Sequence, residues 1–178
     1  MIDPVTGIDY PFFQNQLMDM FGEPNEGQFA REYLVSIDLR EFADALGHVL
    51  NFEGNPWGHR IYGNYIMEGP LRKAFGLIVS QGLAGEIHSF DGCFAIRRMR
   101  GGRSMSVHSW GLALDFNAGT NPFGQEGDMS PELIKCFADS GWESGMLWHK
   151  PDFMHVQICW TADWRKSDHP LRPIPYQP

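Results

Sequence analysis

The sequence is poor in cysteine, in positive charge and in long apolar runs, and each shortage excludes something. Its three cysteines, Cys93, Cys136 and Cys159, are an odd number at wide spacings with no Cys-x-x-Cys pair. That excludes a disulfide framework and a cysteine zinc knuckle, and predicts three buried thiols kept in a reducing compartment. Fourteen Lys and Arg stand against 22 Asp and Glu, a net charge of −8. A broad nucleic-acid surface is therefore excluded, because phosphate binding needs a basic face. Net charge does not speak for any one local site. No run of 18 apolar residues occurs, so no transmembrane helix and no membrane insertion are expected. The opening MIDPVTGIDYPFF has no basic residue ahead of an apolar core, so no Sec leader is expected.

What remains is a chain built to fold. Of 178 residues, 43% are hydrophobic, 13% aromatic and only 20% charged, enough to bury one core. The expected organisation is one domain over residues 1–164, with a proline-rich arm over 165–178 that carries Pro170, Pro173, Pro175 and Pro178.

Periodicity and punctuation suggest an α+β fold, with a small, mainly antiparallel sheet and two or three helices packed on it. A short helix is expected over 11–21, started by Pro11 and stopped by Gly22. Residues 32–39 read as a strand with Tyr33, Val35, Ile37 and Leu39 on one face, and 40–65 are broken up by glycines and Pro56. The best helix is 67–81, with Leu71, Ala74, Phe75 and Ile78 as its apolar stripe. Strand-like pieces EIHSF and CFAIR flank a turn at Asp91-Gly92. A second helix starts at Ser130-Pro131-Glu132 and runs to Gly141. Two segments alternate as strands, 112–117 (LALDFN) and 154–160 (MHVQICW).

The chemistry sits in those two strands. In LALDFN the apolar Leu112, Leu114 and Phe116 face one way, and Ala113, Asp115 and Asn117 the other. Asp115 thus shares its face with a small side chain, which leaves room beside it. Gly111 lets the chain turn so that His108 converges on Asp115. In MHVQICW, His155, Gln157 and Cys159 share one face. If the two strands are neighbours, His108, Asp115 and His155 meet as two imidazoles and a carboxylate. Three such ligands with an open fourth position suit a catalytic zinc. Asp152, shortly before His155, is placed to act as general base on a water there. Taken singly, each of these residues reads more simply as a satisfied core or turn residue; the constellation points to a site. Cys159 reads as a plain buried thiol, His149 as a rim residue, and Trp110 and Trp148 as groove walls or packing.

The stretch Ser106-x-His108-x-x-Gly111-x-Ala113-x-Asp115 resembles the motif of the VanY-type zinc peptidases. These are D-alanyl-D-alanine carboxypeptidases and L-alanyl-D-glutamate endopeptidases that act on peptidoglycan stem peptides. Asp152-x-x-His155 resembles the family's second motif, and the likeness runs over about residues 65–160. The resemblance implies zinc held by His108, Asp115 and His155, with Asp152 as the base. It implies an upstream arginine on the substrate carbonyl or carboxylate. Of Arg97, Arg98 and Arg100, strand alternation favours Arg97. Ser106 is implied to bind substrate or orient the site, and Trp110 and Trp148 are candidate groove residues.

The Gly-Gly-x-Trp approach to the second motif is not intact here, and Asp rather than Glu at 152 is closer to the endopeptidases. The expectation is a zinc peptidase of phage or prophage origin, made in the cytoplasm and reaching the wall through a holin or a particle. The alternatives are a D-Ala-D-Ala carboxypeptidase and a non-catalytic wall- or partner-binding domain on the same fold.

Overall fold

A computed structural model describes residues 2–162 and 164–178. The main sheet has five strands in the order β2-β4-β5-β7-β6: Leu50–Asn51, Ser89–Gly92, Ala113–Phe116, Asp152–Gln157 and Glu143–Gly145. Only β2 and β4 run parallel; the other pairs are antiparallel. A separate antiparallel ribbon joins β1 (Leu34–Asp38) to β3 (Arg60–Asn64). The α-helices are α1 (Leu17–Phe21), α2 (Gln28–Tyr33), α3 (Ala43–Leu46), α4 (Glu68–Ser80) and α5 (Pro131–Ala138). The fold is α+β, with the two longest helices, α4 and α5, in contact with each other.

The central strand explains the layering. Leu112, Leu114 and Phe116 are fully buried. Phe116 packs its ring 6.1 Å from Phe75 of α4 and 5.8 Å from Phe137 of α5. Leu71, Ala74, Phe75 and Ile78 are all fully buried, so the predicted stripe of α4 is the face that meets the sheet. Helix α5 starts as its sequence suggests: the Ser130 hydroxyl accepts the Leu133 N–H at 3.0 Å, and Pro131 follows. With its apolar face on the helices, β5 turns Ala113 and Asp115 to the opposite side.

Other elements depart from the expectations. The predicted strand 32–39 is split between the end of α2 and the shorter β1, with Leu34 and Ile37 inward and Val35 exposed. The predicted helix 11–21 begins only at Gln14, in a 3-10 turn. There Gln16 accepts the Phe13 N–H at 2.7 Å. No hairpin forms at Asp91-Gly92. Strand β4 pairs with β5 and β2 instead, and the Asp91 carboxylate accepts the Ala118 N–H at 2.9 Å.

The C-terminal segment is not a free surface arm. The Ile174 N–H donates to the Ala138 carbonyl at the end of α5 at 2.8 Å. Tyr176 is buried, with its ring 5.4 Å from that of Tyr10. Two glycines make its seat. A Cβ at Gly69 would lie 2.4 Å from the Tyr176 hydroxyl oxygen, and one at Gly141 3.0 Å from its Cβ. The prolines keep the segment extended, and one aromatic anchor docks it. The three cysteines are free and buried, as expected.

Candidate metal centre and its cavity

The site begins with a turn. After β4 the chain comes back through a 3-10 turn, Val107–Trp110, and reverses at Gly111, whose φ of 63° is left-handed. A side chain there is excluded twice. Besides the φ, a Cβ would stand 2.9 Å from the Asn64 nitrogen and 2.8 Å from a Leu34 methyl. Asn64 closes the turn from outside: its N–H donates to the Gly111 carbonyl at 2.9 Å and its amide to the Trp110 carbonyl at 3.2 Å. His108 is thereby thrown back over β5.

Strand pairing supplies the other two groups. Asp115 of β5 lies directly opposite His155 of β7, and Ala113 opposite Gln157. The His108 Nε2, His155 Nδ1 and Asp115 oxygens converge: Nε2 to Oδ2 is 3.2 Å, Nδ1 to Oδ1 is 3.1 Å, and the two nitrogens are 3.2 Å apart. All the candidate ligand atoms fall within 4.8 Å of one another.

The outer ring nitrogens fix the tautomers. His108 donates Nδ1–H to the Cys93 carbonyl at 2.6 Å, an acceptor only. The Gln157 amide donates to the Cys159 carbonyl at 2.8 Å, which turns its oxygen to accept His155 Nε2–H at 3.0 Å. In their neutral forms both imidazoles then aim lone pairs at each other and at a carboxylate. Such an arrangement calls for positive charge at its centre, from a cation or a proton. Burial works against the Asp115 charge, yet the hydrogen bonds with His108 and His155 hold its pKa far below the usual carboxylate range. Burial likewise opposes a charged His155, and its contacts with Asp115 and Gln157 outweigh that and raise its basicity. Two nitrogens and a carboxylate, oriented by a carbonyl and an amide, fit a zinc ion.

The triad forms the floor of a cavity of about 470 Å³. Asp152, Met154, His155 and Gln157 all line it. Strict alternation would put Asp152 on the other face from His155. The ladder between β6 and β7 slips between Ser144 and Gly145, however, so β7 bulges and Asp152 turns inward. Gly145 permits this, since a Cβ there would sit 2.6 Å from the Asp152 carbonyl oxygen. The Asp152 Oδ1 is buried without a hydrogen-bond partner. Burial raises the pKa of this carboxyl above its ordinary value; the His155 ring opposes that and the Asp115 charge adds to it.

The remaining predicted residues divide. Ser106 is buried in the cavity wall, and its N–H donates to the Arg97 carbonyl at 2.9 Å. Arg97 and Arg100 line the cavity, whereas the Arg98 guanidinium is bonded to the Arg103 carbonyl. Residues 94–98 form no strand; the Ser109 hydroxyl, which accepts the Arg97 N–H at 3.0 Å, sets this stretch.

Trp148 walls the cavity with its ring 5.1 Å from His155 and donates to Glu143 at 2.7 Å. Trp110 does not belong to the cavity. Its ring is buried against the N-terminal segment, with Nε1 donating to the Gly22 carbonyl at 2.9 Å. His149 is an exposed rim residue. Sequence reading missed Gln157 as the partner of His155, although its place two residues on along the same strand face was visible. It also missed Cys93, which acts through a carbonyl that no side-chain pattern reveals.

Residues 100–158 match a family model described as D-alanyl-D-alanine carboxypeptidase. The comparisons with curated proteins and with solved structures gave no match. The matched stretch contains His108, Asp115, Asp152 and His155, and the family is one of peptidoglycan-acting metallopeptidases. Through residues 100–158, the stretch that builds this site, the chain is similar to the VanY-like D-alanyl-D-alanine carboxypeptidase family.

Proposed function

We propose that the protein is a zinc-dependent peptidase that hydrolyses an amide bond in peptidoglycan stem peptides, of the L-alanyl-D-glutamate endopeptidase type. The observation that carries the reading is the cavity floor, where three convergent ligand atoms lie in one cavity with a half-buried carboxylate whose Oδ1 has no hydrogen-bond partner. His108, Asp115 and His155 would hold the metal. A zinc ion there supplies Lewis acidity, bringing the pKa of a water to roughly 7 and polarising the scissile carbonyl.

The chain's own residues do the rest. Asp152 accepts a proton from the attacking water, the carbon–oxygen bond forms, and the same carboxyl returns the proton to the leaving nitrogen as the carbon–nitrogen bond breaks. The products are a carboxylate and an amine. Arg97 steadies the oxyanion, Ser106 and Trp148 position the peptide, and Trp148 shields the His155 ring from solvent. A wall substrate fits a phage or prophage lytic enzyme, made in the cytoplasm and released through a holin-type pore or carried by a particle.

The second reading, a D-Ala-D-Ala carboxypeptidase, is favoured by the description of the matching family model. Metal analysis combined with mass spectrometry of digested peptidoglycan separates the two. One zinc per chain with new N-terminal D-glutamyl peptides supports the endopeptidase. Loss of a terminal D-Ala alone supports the carboxypeptidase. Intact wall at full zinc loading rejects both.

A further inference from the structure

On a chain of net charge −8, the rim of this cavity is basic. Arg97, Arg100 and Lys150 line it. Among the described residues, no carboxylate oxygen lies within 4.0 Å of any of their charged nitrogens. Two of the three share an unusual support. The Arg100 guanidinium carbon is 5.5 Å from the centre of the Phe123 ring, and the Lys150 ammonium is 4.5 Å from the same centre.

The support is built rather than loose. The Gly124 N–H donates to the Pro151 carbonyl at 2.7 Å, tying the loop of Phe123 to the loop of Lys150. A Cβ at Gly124, whose φ is +81°, would meet the Lys150 Cε at 2.7 Å, so the stem of that lysine lies along the glycine. Two cations drawn to one aromatic ring repel each other. An anion within reach of both relieves that repulsion. The acids on the floor do not pair with them: Asp115 is held by the two imidazoles, and Asp152 feels the Arg100 charge but forms no ion pair with it, its Oδ1 being buried without a partner.

We infer that Arg100 and Lys150, set on Phe123, form a carboxylate-binding subsite at the cavity mouth, so that the preferred substrate is an acidic peptide with a free carboxylate beside the scissile amide. This rests on the reading of the site as a stem-peptide hydrolase and names its substrate class. In a stem peptide the fitting group is the D-glutamyl α-carboxylate. Its α-carboxamide form is a neutral analogue of nearly the same shape. The subsite therefore discriminates between walls that amidate this residue and walls that do not.

The test uses two synthetic stem peptides that differ only in that carboxylate or carboxamide. Zinc-loaded full-length protein is assayed for hydrolysis of both. Binding of both is measured by calorimetry on the Asp152→Asn protein. The expected preference for the carboxylate peptide is about tenfold in kcat/KM, carried by KM, with a similar ratio in affinity. Arg100→Ala with Lys150→Ala should bring both ratios to about one. Arg100→Lys with Lys150→Arg, which keeps the charges, should retain most of the preference.

A wild-type ratio near one, or a preference that survives the double alanine change, overturns the subsite. The two readings fail separately. Binding preference without hydrolysis of either peptide sinks the peptidase and leaves the subsite standing; hydrolysis without preference does the reverse.

Discussion

The stretch from residue 100 to 158 and the stretch before it contribute in different currencies. The first supplies every ligand atom of the triad and the Asp152 carboxylate. The second supplies no ligand, but it sets posture. The Cys93 carbonyl orients His108, Asn64 clasps the Gly111 turn, and the Gly22 carbonyl holds Trp110. Apart from Arg97, which lines the cavity from just before this stretch, the chemistry is thus local in sequence, and its geometry is not. If the division is real, substitutions in the first stretch should remove activity at little cost to the fold. Substitutions in the packing that surrounds it should do the opposite.

The largest effect belongs to the centre of the triad. Asp115→Ala removes the one carboxylate that both imidazoles face. Zinc bound per chain should fall from about one to near zero, and stem-peptide hydrolysis by about 10³-fold or more. Metal analysis of the purified variant checks the first and a peptide assay the second. Full metal loading in this variant would show that the three groups are a structural cluster.

Asp152→Asn should part activity from stability most sharply. Hydrolysis should fall by about 10²- to 10⁴-fold, the usual contribution of a general base. Stability should move the other way. Burial raises the folded-state pKa of Asp152 above its ordinary value, so the native protein binds more protons than the unfolded chain between the two. Stability from this group is therefore lost as pH rises through that window, and at neutral pH its charge is a standing cost. Removing the charge should raise Tm at pH 7, and the gain should shrink as acid protonates the wild-type carboxyl. In the wild type, kcat/KM should decline as acidification protonates Asp152. A lowered Tm at pH 7 would mean that Asp152 is a structural acid.

How much of this could be read from the chain follows the same division. The triad was legible because alternation places Asp115 and His155 on strand faces, and a five-position motif fixes His108 relative to Asp115. The α4 stripe and the Ser130 cap were legible because both are local patterns. The inward turn of Asp152 was not, because it needs a slip against β6 that only pairing reveals. The docking of Tyr176 was not, because its seat is made by Gly69 and Gly141, whose lack of side chains carries no periodic signal. Trp110 stayed open because an aromatic beside a motif reads alike whether it lines a groove or packs; its ring is buried, off the triad's cavity, and borders a second cavity that shares Gln14 and Met99 with the first.

Gln157 tests the border between the two roles, since it touches a ligand without being one. Gln157→Leu keeps the volume and removes the acceptor for His155 Nε2–H. Zinc affinity should weaken by about 10- to 100-fold, and added zinc should restore most of the hydrolysis. Competition with a chelator gives the first number. A variant that binds zinc as the wild type does would show that β-strand pairing alone sets the His155 tautomer.

Tyr176→Ala should have the smallest effect on chemistry and the clearest one on folding. Tyr176 is buried against Tyr10, Gly69 and Gly141, and it is not among the residues that line the cavity. Removing the ring leaves a void between the first turn of α4 and the end of α5, at a cost of about 2–4 kcal/mol. Denaturant unfolding should show that loss, while kcat/KM at 25 °C stays within about twofold, because additivity holds for sites without shared partners. A large fall in kcat/KM with stability preserved would mean that the tail reaches the cavity through the helices, and that packing and chemistry are not divided along the chain as argued.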